Sequence, residues 1–161
     1  MTRTAADIIA DLGTGVHIDG RWRDAASGAT FEVHNPATGE VVATVADGGP
    51  DDAAAAIEAA GRTQASWGAV PARERAEILR RAYELLIERP DELALIMTTE
   101  MGKPLAEARG EVAYGAEFLR WFSEEACRIR GDARRSPDGN TRLLVTSEPV
   151  GPCILVTPWN F

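Results

Sequence analysis

The residues best suited to chemistry lie near the carboxyl end, where Thr157-Pro158-Trp159-Asn160 sets a hydroxyl, an aromatic wall and a primary amide in succession. They follow Cys153-Ile154-Leu155-Val156, an apolar and β-branched run without polar alternation. Such a run predicts a strand over 153–157 buried on both faces, as in a parallel sheet covered by helices. Pro158 cannot donate to a sheet ladder and should end that strand. Residues just past the carboxyl end of a parallel strand stand where open α/β sheets bind ligands. There the Asn160 amide could donate to a developing oxyanion, with Trp159 as the wall beside it. A nucleophile is harder to find. Cys153 falls inside the expected strand, and a buried apolar cysteine keeps its proton and is inert. Cys127 sits near the end of an expected helix and reads as structural. His17 and His34 fall on strands or turns near the amino end, and no metal-ligating set is expected.

The elements that must position these groups can be read in order. Ala5 to Leu12 predicts a short helix, ended by Gly13 and Gly15. Val16 to Asp24 predicts a hairpin turning at Asp19-Gly20. Phe31 to Val33 and Val41 to Val45 predict two further strands around the turn Asn35-Pro36-Ala37-Thr38-Gly39, where Gly39 admits positive φ. Asp51 and Asp52 behind Pro50 mark a helix start, and Ala53 to Trp67 continues it. A helix from Pro71 to Arg89 carries an apolar stripe of Ile78, Leu79, Ala82, Leu85 and Leu86, with Glu77 and Arg81 spaced for an ion pair. Asp91 to Met101 follows, and Gly102 with Pro104 stops it. The longest helix should run from Pro104 to about Arg130, burying Ala108, Val112, Gly115, Leu119, Phe122 and Ala126. A polar turn around Ser136-Pro137-Asp138-Gly139-Asn140 then leads to a strand over Arg142 to Ser147.

Composition narrows the function class. The 161 residues are enough for one domain with a sizeable core, and 45% hydrophobic with 26% charged residues is ordinary for a soluble protein. A net charge of −8 argues against nucleic acid or an anionic membrane as the main partner. No apolar run approaches 18 residues. Residues 1–15 contain Asp7 and Asp11 and lack the order of a signal peptide. Two cysteines without metal spacing suggest free thiols in a reducing compartment, with the cytoplasm as the default.

The motifs also resemble a known family. Thr157-Pro158-Trp159-Asn160-Phe161 resembles the signature of the NAD(P)-dependent aldehyde dehydrogenase superfamily. Asn35-Pro36-Ala37-Thr38-Gly39-Glu40 is similar to its early turn, and Glu100-Met101-Gly102-Lys103-Pro104 to its mid-domain helix break. Glu148-Pro149-Val150-Gly151 leads into the signature in the same way. With Gly115-Ala116-Glu117-Phe118 and Trp121-Phe122, the pattern is most similar to the succinate-semialdehyde dehydrogenase branch, and it covers about His17 to Phe161. The resemblance implies oxidation of an aldehyde to an acid with NADP or NAD, through attack of a cysteine thiolate, hydride transfer and glutamate-assisted hydrolysis. It implies that Asn160 is the catalytic oxyanion donor and that Thr157, Pro158, Trp159 and Asn160 line the cofactor cleft. It places the nucleophile, the base and the cofactor's glycine-rich turn beyond Phe161.

The expectation is therefore an α/β chain forming an amino-terminal piece of such an enzyme, incomplete and inactive alone. Residues 1–46 would form an arm with small antiparallel strands, and 47–130 the helical part of the cofactor-binding domain. Residues 131–149 would be an oligomerisation hairpin, implying a homo-oligomer, and 150–161 the first strand of a Rossmann-like sheet with the start of the active-site motif. Two other readings stand beside it: a non-catalytic homologue that binds a full-length aldehyde dehydrogenase, and a piece of another branch such as betaine-aldehyde dehydrogenase.

Overall fold

The computed structural model describes residues 3–157. Among the described residues the chain is mixed α/β, with three separate two-stranded antiparallel sheets and four long helices. A short helix α1 (Ala5–Ala10) opens it, capped by Thr4, whose hydroxyl accepts from the Asp7 amide while the Asp7 carboxylate accepts from the Thr4 amide. Ile8 is 1% exposed, and Arg3 pairs with both Asp11 and Glu92, so α1 is fastened to a helix far along the chain.

Strands β1 (Val16–Ile18) and β2 (Arg21–Arg23) pair through a two-residue turn in which Asp19 and Gly20 both take positive φ, 54° and 74°. That is the turn whose twist matches a hairpin, and it is the reason for aspartate and glycine there. Strands β3 (Thr30–His34) and β4 (Val41–Ala46) form the second sheet. Their connection is closed by the Asn35 side chain, which accepts from the Ala37 amide at 2.9 Å, and by Gly39 at φ 74°.

Helix α2 (Pro50–Gly68) begins as its proline and acids predict. Asp52 does more than favour the helix dipole. It is 4% exposed and accepts from the Gly49 amide at 3.0 Å and the Ala26 amide at 3.1 Å. These bonds, first Gly49 and then Ala26, hold its carboxyl below the usual carboxylate range. The loop between β2 and β3 is thereby tied to the helix start.

Helices α3 (Ala72–Glu88), α4 (Pro90–Met101) and α5 (Leu105–Glu125) pack together, and a 3₁₀ turn over Ala126–Arg128 ends the layer. Ala94, Ala108 and Val112 form the tightest cluster, flanked by Leu93, Met97 and Leu105. Gly102 ends α4 at φ 78°, as its position before Lys103-Pro104 demands. The buried line on α5 is Ala108, Val112, Ala116 and Ser123. The expected burial of Gly115 and Phe122 is therefore corrected, since both are exposed, Phe122 at 55%. Small side chains let helices approach most closely, so Ala116 and Ser123 take the contact and the larger neighbours are left on its flank. For the same reason Ile78 and Leu85 on α3 are exposed, whereas Leu79, Ala82 and Leu86 are half-buried. The expected Glu77–Arg81 pair is also replaced: Arg80 bonds Glu77 at 2.7 Å and also Glu84, and Arg81 reaches Glu84 and Glu88.

The last hairpin pairs β5 (Asp132–Arg135) with β6 (Arg142–Val145), shorter than the strand expected to Ser147, because Ser147 turns its hydroxyl to the Arg130 carbonyl. Among the described residues, no helix is long and apolar enough to cross a membrane.

Candidate active-site segment

The segment expected to carry the site runs from Glu148 to Thr157 and is seated on α2. Gly68 admits it, since a Cβ there would stand 3.3 Å from Pro149 Cγ. Gly151 then bends the chain at φ 112°, a conformation that favours glycine, with the Gln64 side chain 3.7 Å from the position of a Cβ. Beyond this bend, Pro152, Cys153 and Ile154 face Ala53, Ala56, Ile57 and Ala60 across a groove of about 340 Å³. A second and larger hollow, about 500 Å³, lies between Gln64, Trp67 and Arg75 on one side and Cys127, Ile129 and Val150 on the other. The alanine-rich face of α2 is thus the floor beneath the approach to the signature. Its sequence signal was alanine at helical spacing, which announces close packing without saying what is packed.

Two expectations about this segment are corrected. Residues 153–157 are not a strand: they pair with no other strand, and Ile154, Leu155 and Val156 are 76%, 86% and 89% exposed. An apolar run buried on both faces needs neighbours on both edges, and among the described residues each of the six strands is already joined to its hairpin mate. Cys153 is likewise exposed rather than buried. Its thiol donates to the Gly151 carbonyl at 3.6 Å, and no described basic side chain is hydrogen-bonded to it. Cys127 is exposed as well, and both thiols are free.

Of the four expected site residues, Thr157 is described: it is exposed, outside any helix or strand, and without a hydrogen-bond partner among the described residues. Pro158, Trp159 and Asn160 lie outside the described residues. The two histidines stay in the amino-terminal arm. His17 stands against the Trp22 ring with centroids 5.0 Å apart, and His34 lies between the Glu32 carboxylate and the Gly39 carbonyl, each at 3.3 Å.

Comparison with known proteins places this arrangement. The family model described as "Aldehyde dehydrogenase family" matches residues 22–161, so the chain belongs to the aldehyde dehydrogenase family. It is 59% identical over 121 residues to succinate-semialdehyde dehydrogenase of Paenarthrobacter nicotinovorans, a match covering 75% of this chain and 27% of that protein. Against glutarate-semialdehyde dehydrogenase of Pseudomonas putida it is 51% identical over 145 residues, 90% of this chain and 30% of that protein. The crystal structure of betaine aldehyde dehydrogenase from Staphylococcus aureus in complex with NAD+ superposes with a TM-score of 0.85 at 30% identity, covering 91% of this chain and 29% of that one. The chain thus spans less than a third of the length of these relatives.

Proposed function

We propose that this chain contributes to oxidation of an aldehyde to its carboxylic acid with NAD or NADP, and that the aldehyde carries an acid group at its other end. The observation that supports this most is the pair of identities above: 59% and 51% to enzymes named for succinate and glutarate semialdehydes, against 30% to one named for betaine aldehyde. The first two substrates end in a carboxylate and the third in a cation, so the resemblance follows the sign of the substrate's far end. Succinate semialdehyde is the specific proposal.

In this reading Asn160 is the catalytic residue of the chain. Its amide donates to the oxygen of the thiohemiacetal as negative charge develops, which a preorganised donor does at little reorganisation cost. Trp159 and Pro158 wall the cofactor cleft, and the exposed Thr157 contributes its hydroxyl to the same cleft. When bound, the nicotinamide supplies the hydride acceptor. Gly151 and the α2 floor act as positioning elements, setting where the four residues emerge. The nucleophile is assigned to neither Cys127 nor Cys153, and the 161 residues are proposed to be silent by themselves. Residues 1–46 serve as the arm, 47–130 as the helical part of the cofactor-binding domain and 131–149 as a hairpin joining copies in a homo-oligomer. Residues 150–161 lead into the active-site motif. Two free thiols and the acidic charge fit a reducing compartment, the cytoplasm, without nucleic-acid or membrane partners.

The test is a chimera in which residues 1–161 replace the matching part of the Paenarthrobacter nicotinovorans enzyme. Growth of reduced cofactor absorbance with succinate semialdehyde, at kcat/KM well above that with betaine aldehyde, is expected. A folded chimera that binds cofactor yet turns over no aldehyde, or prefers betaine aldehyde, contradicts the proposal.

A further inference from the structure

The larger of the two hollows beside α2 gathers polar groups that nothing else in the described chain uses. Arg3 and Arg75 are the half-buried arginines among the described residues. Arg3 meets two carboxylates, whereas Arg75 meets none: its guanidinium donates to the Val70 carbonyl, which pins it at the turn between α2 and α3. Its remaining N–H groups have no partner among the described residues. The half-buried Gln64 amide and the exposed Glu148 carboxylate line the same hollow, and neither has a side-chain partner among the described residues. Trp67 and Ile129 supply apolar wall and are 49% and 64% exposed. A volume of about 500 Å³ lies within the range of small-molecule pockets, which combine apolar walls with a few convergent polar groups.

We infer that this hollow is a binding site for a free amino acid with an apolar side chain. The charges select that class. A guanidinium fork takes a carboxylate through two parallel hydrogen bonds, and the Gln64 amide adds a donor on the same wall. Glu148, on the facing segment, repels a second acid group and attracts an ammonium. Trp67 and Ile129 receive the apolar side chain, the indole offering the larger contact. A neutral apolar molecule would leave both charges unmatched, and a dicarboxylate would meet Glu148. None of these residues is assigned to aldehyde oxidation, so the site stands or falls apart from that reading.

Isothermal titration calorimetry of the 161-residue chain tests this with L-phenylalanine, 3-phenylpropanoate, which lacks the ammonium, and phenethylamine, which lacks the carboxylate. The expected result is saturable binding of phenylalanine with a Kd of about 1 mM or tighter, and binding of both analogues at least about tenfold weaker. Glu148→Gln, at an exposed position, should weaken phenylalanine at least about fivefold and leave 3-phenylpropanoate unchanged. Arg75→Lys should weaken both carboxylates, since lysine keeps the charge and loses the fork. Circular dichroism checks the fold of that variant, because Arg75 also holds the Val70 carbonyl. If it unfolds, the analogues and Glu148→Gln decide alone. In the chimera phenylalanine should bind as it does to the chain. Loss of binding there, with cofactor binding retained, means that the rest of the polypeptide fills the hollow, and it overturns the assignment. Absence of saturable heat, or analogues that bind as tightly as phenylalanine, overturns it too.

Discussion

Replacing Gly102 by alanine should loosen the helical layer in a way that separates two physical causes. Gly102 ends α4 at φ 78° and ψ 10°, and a Cβ placed there would stand 3.0 Å from Pro36 Cγ in the turn between β3 and β4. The left-handed backbone costs an alanine about 1–2 kcal/mol. A 3.0 Å contact to a ring held by the Asn35 turn adds to this, because Pro36 has little freedom to retreat. A total of about 1–3 kcal/mol follows. For a chain of this length each kcal/mol lowers the melting temperature by about 2–4 °C, so the variant should melt about 2–12 °C lower. Urea denaturation of wild type, Gly102→Ala, Pro36→Ala and the double variant then gives the coupling. The strain persists in the double variant while the contact does not, so Gly102→Ala should cost less in the Pro36→Ala background. Gly139→Ala, at φ 75° with nothing near its Cβ, serves as the strain-only reference. The reasoning is refuted if Gly102→Ala is neutral, or if its cost is unaltered by removing Pro36.

Two further outcomes follow from the same structure. Because the folded state lowers the Asp52 pKa, the unfolded chain binds more protons between the two values; the stability Asp52 confers is complete above its unfolded value near 3.9 and is lost as pH falls through the folded one. Asp52→Asn should therefore flatten the acid limb of a stability–pH profile below about pH 4 and leave its alkaline limb alone, and an unchanged acid limb would contradict the bridging role. The purified 161-residue chain should reduce neither NAD nor NADP with succinate semialdehyde, and a signal abolished by Cys153→Ser would restore that exposed thiol as a nucleophile.

Much of the fold was legible because local chemistry decided it. Asp19-Gly20, Asn35 with Gly39, Pro50 and Gly102 each specify a backbone conformation that needs no distant partner, and all formed where expected. What was not legible depends on partners far away in sequence. The run 153–157 has the composition of a buried strand, but composition cannot supply the neighbouring strands, and without them it is unpaired and exposed. The face of α5 was misplaced by about one residue after Val112, because apolar size suggested Phe122 while close approach selected Ala116 and Ser123. Asp52 looked like a helix-start acid, and its bond to Ala26 could not be foreseen from either segment. For the site, the signature residues were readable as chemistry, and the α2 floor was readable only as a close-packing helix.

The central claim is that Asn160 stabilises the oxyanion, and Asn160→Ala in the chimera tests it most directly. Turnover with succinate semialdehyde is measured under saturating cofactor and substrate, and cofactor affinity by fluorescence titration. Loss of one oxyanion donor should lower kcat by about 10²–10³-fold, while the dissociation constant for cofactor changes by less than about threefold. A variant that turns over normally, or one whose loss is wholly in cofactor binding, would contradict the role assigned to Asn160.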